Sequence, residues 1–104
     1  NVQYPIVGDD NQKVTKAYDV MVEGKGISYR GTFLINKQGK VVHQVVNDLP
    51  LGRNIDEAIR MVDTLQFTDK HGEVCPAGWN KGEEGMKPDA AGVASYLKKH
   101  AKKL

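Results

Sequence analysis

The sequence predicts an α/β chain that supplies the back half of a larger layered domain. Three observations carry this. Two β-branched runs between Ile27 and Asn47 are joined by a turn of hairpin length. Residues Val14–Met21 and Ile55–Leu65 place apolar side chains at helical spacing. One short leading run, Tyr4–Val7, is the only other strand-like segment, so the sheet is thin for the two helices that must cover it.

The elements follow in order. YPIV at Tyr4–Val7 reads as a strand closed by Gly8-Asp9-Asp10. Asp9, Asp10 or Asn11 is placed to cap a helix whose Val14, Ala17, Tyr18 and Met21 share one face. Gly24 and Gly26 end that pattern. ISYRGTFLIN, Ile27–Asn36, is the next strand; Asn36-Lys37-Gln38-Gly39 turns the chain; KVVHQVVN, Lys40–Asn47, pairs back. Val41, His43 and Val45 are expected on one face of it, Val42, Gln44 and Val46 on the other. After the loop Asp48–Gly52, Asn54 and Glu57 have capping-box spacing, and Ile55, Ala58, Ile59, Val62 and Leu65 repeat helically. From Lys70 to Pro88 glycine and proline cluster, which predicts an extended arm. Asp89 is placed to cap a last short helix that turns Val93, Tyr96, Leu97 and Ala101 inward.

Composition narrows the function. The 104 residues suit one domain or part of one, and a net charge of +2 is too small to imply nucleic acid. The basic tail Lys98, Lys99, Lys102 and Lys103 reads as the solvated last turn of a helix, where cations suit the dipole. No apolar run approaches the ~20 residues of a membrane span. No signal peptide is visible; the chain opens on Asn1-Val2-Gln3-Tyr4, so a natural N-terminus is expected upstream. One cysteine makes no internal disulfide and fits a reducing compartment.

The same residues exclude several chemistries. His43, His71 and His100 are far apart, with no metal-ligand spacing. The glycines near Gly24 lack the strand–turn–helix setting of a phosphate loop. Asp56 and Glu57 open a helix, and dipole matching accounts for them. Cys75, in HGEVCPAGWN, is flanked by proline and glycines that predict exposure and mobility. An ordinary thiol is only a few per cent thiolate at pH 7, roughly, which is poor for a first attack on an oxidant but adequate for attack on an activated sulfur. A reactive thiol and an inert loop cysteine both remain open on chemistry alone. Arg30 interrupts an apolar strand, either as an edge residue facing water or as a fixed cation beside an anion or thiolate; Arg53 raises the same question. Trp79 is expected to anchor the arm on a surface, its own or a partner's.

Four stretches, YPIVGD at Tyr4–Asp9, RGTFLIN at Arg30–Asn36, VNDLPLGRNIDEAIRMV at Val46–Val62 and HGEVCPAGW at His71–Trp79, occur in the order seen in typical two-cysteine peroxiredoxins of the alkyl hydroperoxide reductase C type. The chain closely resembles the C-terminal portion of that family. The resemblance implies a thioredoxin-like fold, with residues 1–69 as the C-terminal half of the domain and 70–104 as an arm ending in a short helix. It implies an antioxidant peroxidase that reduces hydrogen peroxide and organic hydroperoxides, working as a cytoplasmic homodimer or a ring of five dimers, reduced by thioredoxin or a flavoprotein. No cofactor, metal, nucleic acid or membrane is implied.

Residue by residue, the resemblance makes Cys75 the resolving cysteine, which forms an intersubunit disulfide. Arg30 becomes the arginine that steadies the peroxidatic thiolate and the peroxide, and Arg53 a second arginine bordering that site. Lys40–Asn47 becomes the strand that pairs across the dimer. The peroxidatic cysteine is absent and is expected upstream of Asn1, in a missing N-terminal half, so the chain alone is expected to be inactive. Tyr96-Leu97 stands where peroxide-sensitive members have Tyr-Phe, and the leucine leans towards resistance to overoxidation. Two other readings compete: a non-catalytic dimerisation or redox-dependent interaction module, and an inert fragment whose uncovered apolar faces make it aggregate.

Overall fold

A computed structural model describes residues 2–101. Five elements form in order: α1 (Lys13–Ala17), β1 (Arg30–Ile35), β2 (Val41–Asn47), α2 (Ile55–His71) and α3 (Ala90–His100). β1 and β2 make one antiparallel two-stranded sheet. The radius of gyration is 17.7 Å, against about 13 Å for a compact domain of this size. The chain is therefore elongated, and its core is thin: Val20, Val22 and Trp79 are its buried hydrophobic residues among those described. Lys102 and Lys103 of the predicted basic tail lie outside the described residues.

The expected strand at Tyr4–Val7 does not form. A strand needs a ladder partner for its N–H and C=O groups, and the described sheet ends at β1 and β2. Tyr4, Ile6 and Val7 lie exposed, Ile6 at 74 %. The first helix is shorter than predicted. It ends at Ala17, and Met21 pairs with Ser28 in an isolated bridge instead of continuing the helical face. Val22 N–H bonds the Ile27 carbonyl and Tyr29 N–H the Val20 carbonyl, at 2.9 and 2.8 Å. Gly24 and Gly26 supply the left-handed backbone for this tight reversal. Burying Val20 and Val22 through this pairing wins over extending a one-turn helix. Asp9 does cap α1, from outside it: its carboxylate accepts the Val14 and Thr15 amides at 3.1 and 2.8 Å and the Thr15 hydroxyl.

The hairpin forms as expected. Asn36 Oδ1 accepts the Gln38 and Lys40 amides at 3.0 and 2.9 Å, which builds the turn. Arg30 faces Asn47 and Leu34 faces His43, but Ile35 then faces Val41. Val42 is an extra residue at this bulge, so the simple alternation expected along β2 is broken there. Tyr18, the residue that ends α1, packs its ring on Phe33 of β1, centroids 4.7 Å apart.

α2 begins where the sequence places it. Asn54 Oδ1 accepts the Glu57 amide at 3.1 Å. It runs on to His71, into the segment predicted as arm, and stops at Gly72, whose left-handed backbone lets its N–H reach the Thr68 carbonyl. Much of its apolar stripe is uncovered: Ile55 is 64 % and Ile59 55 % exposed. Asp89 caps α3 by accepting the Gly92 amide at 2.6 Å. Val93 and Tyr96 are half-buried, but Leu97 and Ala101 are exposed, because the described chain offers them no layer to pack against. Among the described residues no helix is long and apolar enough to cross a membrane.

Candidate active site

Arg30 and Arg53 come together. Both line one open cavity of about 330 Å³ whose wall also holds Asp9, Thr15, Tyr18 and Tyr29. Antiparallel pairing puts Arg30 at the start of β1 beside Asn47 at the end of β2. The loop that follows folds back on this end of the sheet. Arg30 Nε donates to the Leu49 carbonyl at 3.4 Å, Arg53 Nη1 to the Gly31 carbonyl at 3.2 Å, and Asn47 Nδ2 to the Gly52 carbonyl at 3.1 Å. A guanidinium carries five N–H donors. Two such groups in one concavity give a site suited to an anion or a thiolate. The Asp9 carboxylate in the wall is turned to α1. The Thr15 hydroxyl, then the Thr15 amide, hold its pKa below the ordinary aspartate value.

Cys75 lies elsewhere and lines no part of that cavity. It is a free thiol and half-buried, less exposed than its flanks predict. Sγ donates towards the Thr64 carbonyl at 3.8 Å and sits 3.9 Å from Thr68 Oγ1, so it rests on the last turns of α2. The arm is seated by Trp79, which is 2 % exposed. Its indole packs on Phe67 with centroids 4.8 Å apart, and its Nε1–H donates to the Glu83 carbonyl at 3.1 Å. Trp79 is thus the predicted anchor, and the surface it uses is the chain's own. Val74 and Met86 exchange backbone hydrogen bonds at 2.8 and 2.9 Å, closing the arm into a loop. His71, the histidine nearest Cys75 in sequence, stacks on Phe67 at 4.6 Å. No group of three or more His, Cys, Asp or Glu able to hold a metal ion occurs among the described residues.

Sequence reasoning missed Arg60. Its Nε and Nη2 donate to the two Glu57 carboxylate oxygens, both at 2.7 Å, and its Nη1 to the Trp79 carbonyl, also at 2.7 Å. The hydrogen bond to Glu57 is the main cause raising the Arg60 pKa above its ordinary value. The same bond holds Glu57 below the usual glutamate value. The signal available in the sequence was the three-residue spacing of Glu57 and Arg60 on a confident helix.

Two family models match. Residues 1–44 fit the AhpC/TSA family, and residues 64–99 fit the C-terminal domain of 1-Cys peroxiredoxin. The alkyl hydroperoxide reductase C of Helicobacter pylori (strain J99) is 54 % identical over 103 residues, 99 % of this chain and 52 % of that protein. Peroxiredoxin-1 of Gekko japonicus is 46 % identical over 100 residues, 96 % of this chain and 50 % of that protein. The reduced 2-Cys peroxiredoxin of Plasmodium vivax superposes with a TM-score of 0.84 at 41 % identity, covering 88 % of this chain and 47 % of that one. The chain spans about half the length of the curated relatives it matches. Its helices and hairpin are part of a thioredoxin-like α/β fold. With matching sequence at both ends and a shared fold between, the chain belongs to the peroxiredoxin family, alkyl hydroperoxide reductase C type, as its C-terminal portion.

Proposed function

We propose that this chain contributes the resolving thiol and the site arginines of a peroxidase that reduces hydrogen peroxide and organic hydroperoxides. The observation that carries the reading is the convergence of Arg30 and Arg53 on one cavity in a chain whose single thiol is seated apart from it. Relatives named alkyl hydroperoxide reductase C and peroxiredoxin support it. With one cysteine here, the first thiol belongs to polypeptide outside this chain, in the part of the relatives' length it does not span.

The chemistry balances in three steps. A peroxidatic thiolate held near Arg30, with Arg53 bordering, attacks the distal peroxide oxygen. The O–O bond breaks; the alcohol or water leaves with a proton and the sulfur becomes a sulfenic acid. The Cys75 thiol then attacks that sulfur, forming an S–S bond and releasing water. A dithiol reductant, thioredoxin or a flavoprotein's thiol pair, returns both sulfurs to thiols by exchange and leaves as a disulfide. In this reading residues 1–69 complete the catalytic domain and residues 70–104 form the arm. β2 pairs with its copy in a homodimer, five of which can close a ring, and the thiol chemistry suits the cytoplasm.

The test is steady-state peroxide consumption by the full-length protein with a thioredoxin reductant, against Cys75→Ser. The expected result is loss of thioredoxin-driven turnover while the first thiol is still oxidised once per subunit. A full-length protein that forms a mixed disulfide through Cys75 yet consumes no peroxide would instead be a redox-dependent interaction module.

A further inference from the structure

We propose that Arg60 is a positioning residue that clamps the Cys75 arm onto α2 and so sets how readily the thiol is released. The inference rests on reading Cys75 as the thiol that reacts second.

Cys75 does little to hold itself. Its two contacts with α2, to Thr64 and Thr68, are long sulfur contacts at 3.8 and 3.9 Å. The arm is held four residues further on, at Trp79, by two independent means. The indole is packed on Phe67, and the carbonyl accepts Arg60 Nη1 at 2.7 Å. Glu57 grips the other side of the same guanidinium with both carboxylate oxygens, which fixes the plane of the fork and aims Nη1 at the arm. Arg60, Thr64, Phe67 and Thr68 lie at offsets of four, seven and eight, one stripe of α2. Clamp, thiol cradle and aromatic seat therefore share a single helix face. For Sγ to reach a sulfur on another polypeptide it must leave Thr64 and Thr68, and a swing of the arm as a unit must break the Arg60–Trp79 bond. Arg60 holds the thiol in reserve until that happens.

The test is the rate of Cys75 alkylation by iodoacetamide in the reduced full-length protein, followed by mass as a function of pH. Arg60→Lys keeps the cation and loses the fork. Its plateau rate is expected to rise about tenfold, the effect of losing one charge-assisted hydrogen bond, with the midpoint of the pH profile unmoved. Glu57→Gln, which keeps Arg60 but frees its fork, is expected to give a smaller rise. Lys16→Met, on the distant α1, should leave the rate unchanged. A plateau unaltered in both Arg60→Lys and Glu57→Gln, or a rise that appears only in step with a lowered Tm, would overturn the clamp. Alkylation needs no peroxide. Failure of the peroxidase reading would show instead as the absence of a peroxide-driven disulfide at Cys75 in the unsubstituted protein.

Discussion

The indole of Trp79 lies against the ring of Phe67, centroids 4.8 Å apart and planes inclined by 46°. This contact joins the segment that carries Cys75 to the longest helix of the chain, and Trp79 is the most buried large side chain described. The arm is therefore a folded lobe on α2, with its own bridge and its own buried aromatic.

Trp79→Ala should undock that lobe. Truncating a buried Trp costs about 3–5 kcal/mol, so the Val74 and Met86 amides, which bond to each other's carbonyls, should lose roughly 100-fold or more of their exchange protection. The α2 amides before Thr64 should change little. Unaltered protection at Val74 would mean that the arm is held elsewhere.

Gly85→Ala tests the same seat from the other side. A Cβ on Gly85 would sit 2.5 Å from Phe67 Cε1 and 3.1 Å from the Val74 carbonyl oxygen. Overpacking of this kind costs about 1–3 kcal/mol. Gly8→Ala meets nothing within 4 Å and should fall within about 0.5 kcal/mol of the unsubstituted protein. Denaturant melts of the two variants should separate clearly; equal midpoints would contradict the tight approach at Phe67.

The cap on α1 should titrate. Asp9 has a lowered pKa in the folded state, chiefly through the Thr15 hydroxyl. Its contribution is thus complete above the ordinary aspartate value and is lost as pH falls through that value towards the lowered one. The Val14 and Thr15 amide resonances should move with a midpoint below that of a free aspartate. Asp9→Asn should abolish the titration and expose both amides to exchange.

The last helix should respond to acid at a different residue. Glu84 accepts His100 Nε2 at 2.9 Å and Lys99 Nζ at 3.3 Å, and these two partners, His100 first, lower its pKa. The contact is complete above the ordinary glutamate value and weakens as pH falls through it. All three side chains are partly or largely exposed, so high salt should weaken it too. NMR of α3 should report greater fraying in Glu84→Gln at neutral pH and little further change on acidification. A Glu84→Gln variant that frays with acid as the unsubstituted chain does would assign the effect to another group.

Much of this was legible in the sequence because it is local. Asn54 and Asp89 cap helices through bonds three residues long, and the Asn36 turn closes on Lys40. Arg30 and Arg53 were open questions as residues, and only the family resemblance implied a common site; that they line one cavity is a finding of the structure. Three features were not legible. Tyr4–Val7 has strand composition, but a ladder needs a neighbour, and no local pattern supplies one. The bulge at Val42 depends on how Leu34 and Ile35 meet β2. The seating of Cys75 depends on Arg60 and Trp79, nineteen residues apart, and contacts across such distances leave little trace in periodicity. The flanking Pro76 and Gly78 signalled irregular backbone correctly; irregular backbone did not mean an unpacked arm.

The most direct measurement is the intact mass, under non-reducing conditions, of the full-length protein after one equivalent of hydrogen peroxide, with peptide mapping of Cys75. The expected product is a reductant-sensitive disulfide joining Cys75 to a cysteine that this chain does not contain. Peroxide consumed while Cys75 remains a free thiol would contradict it.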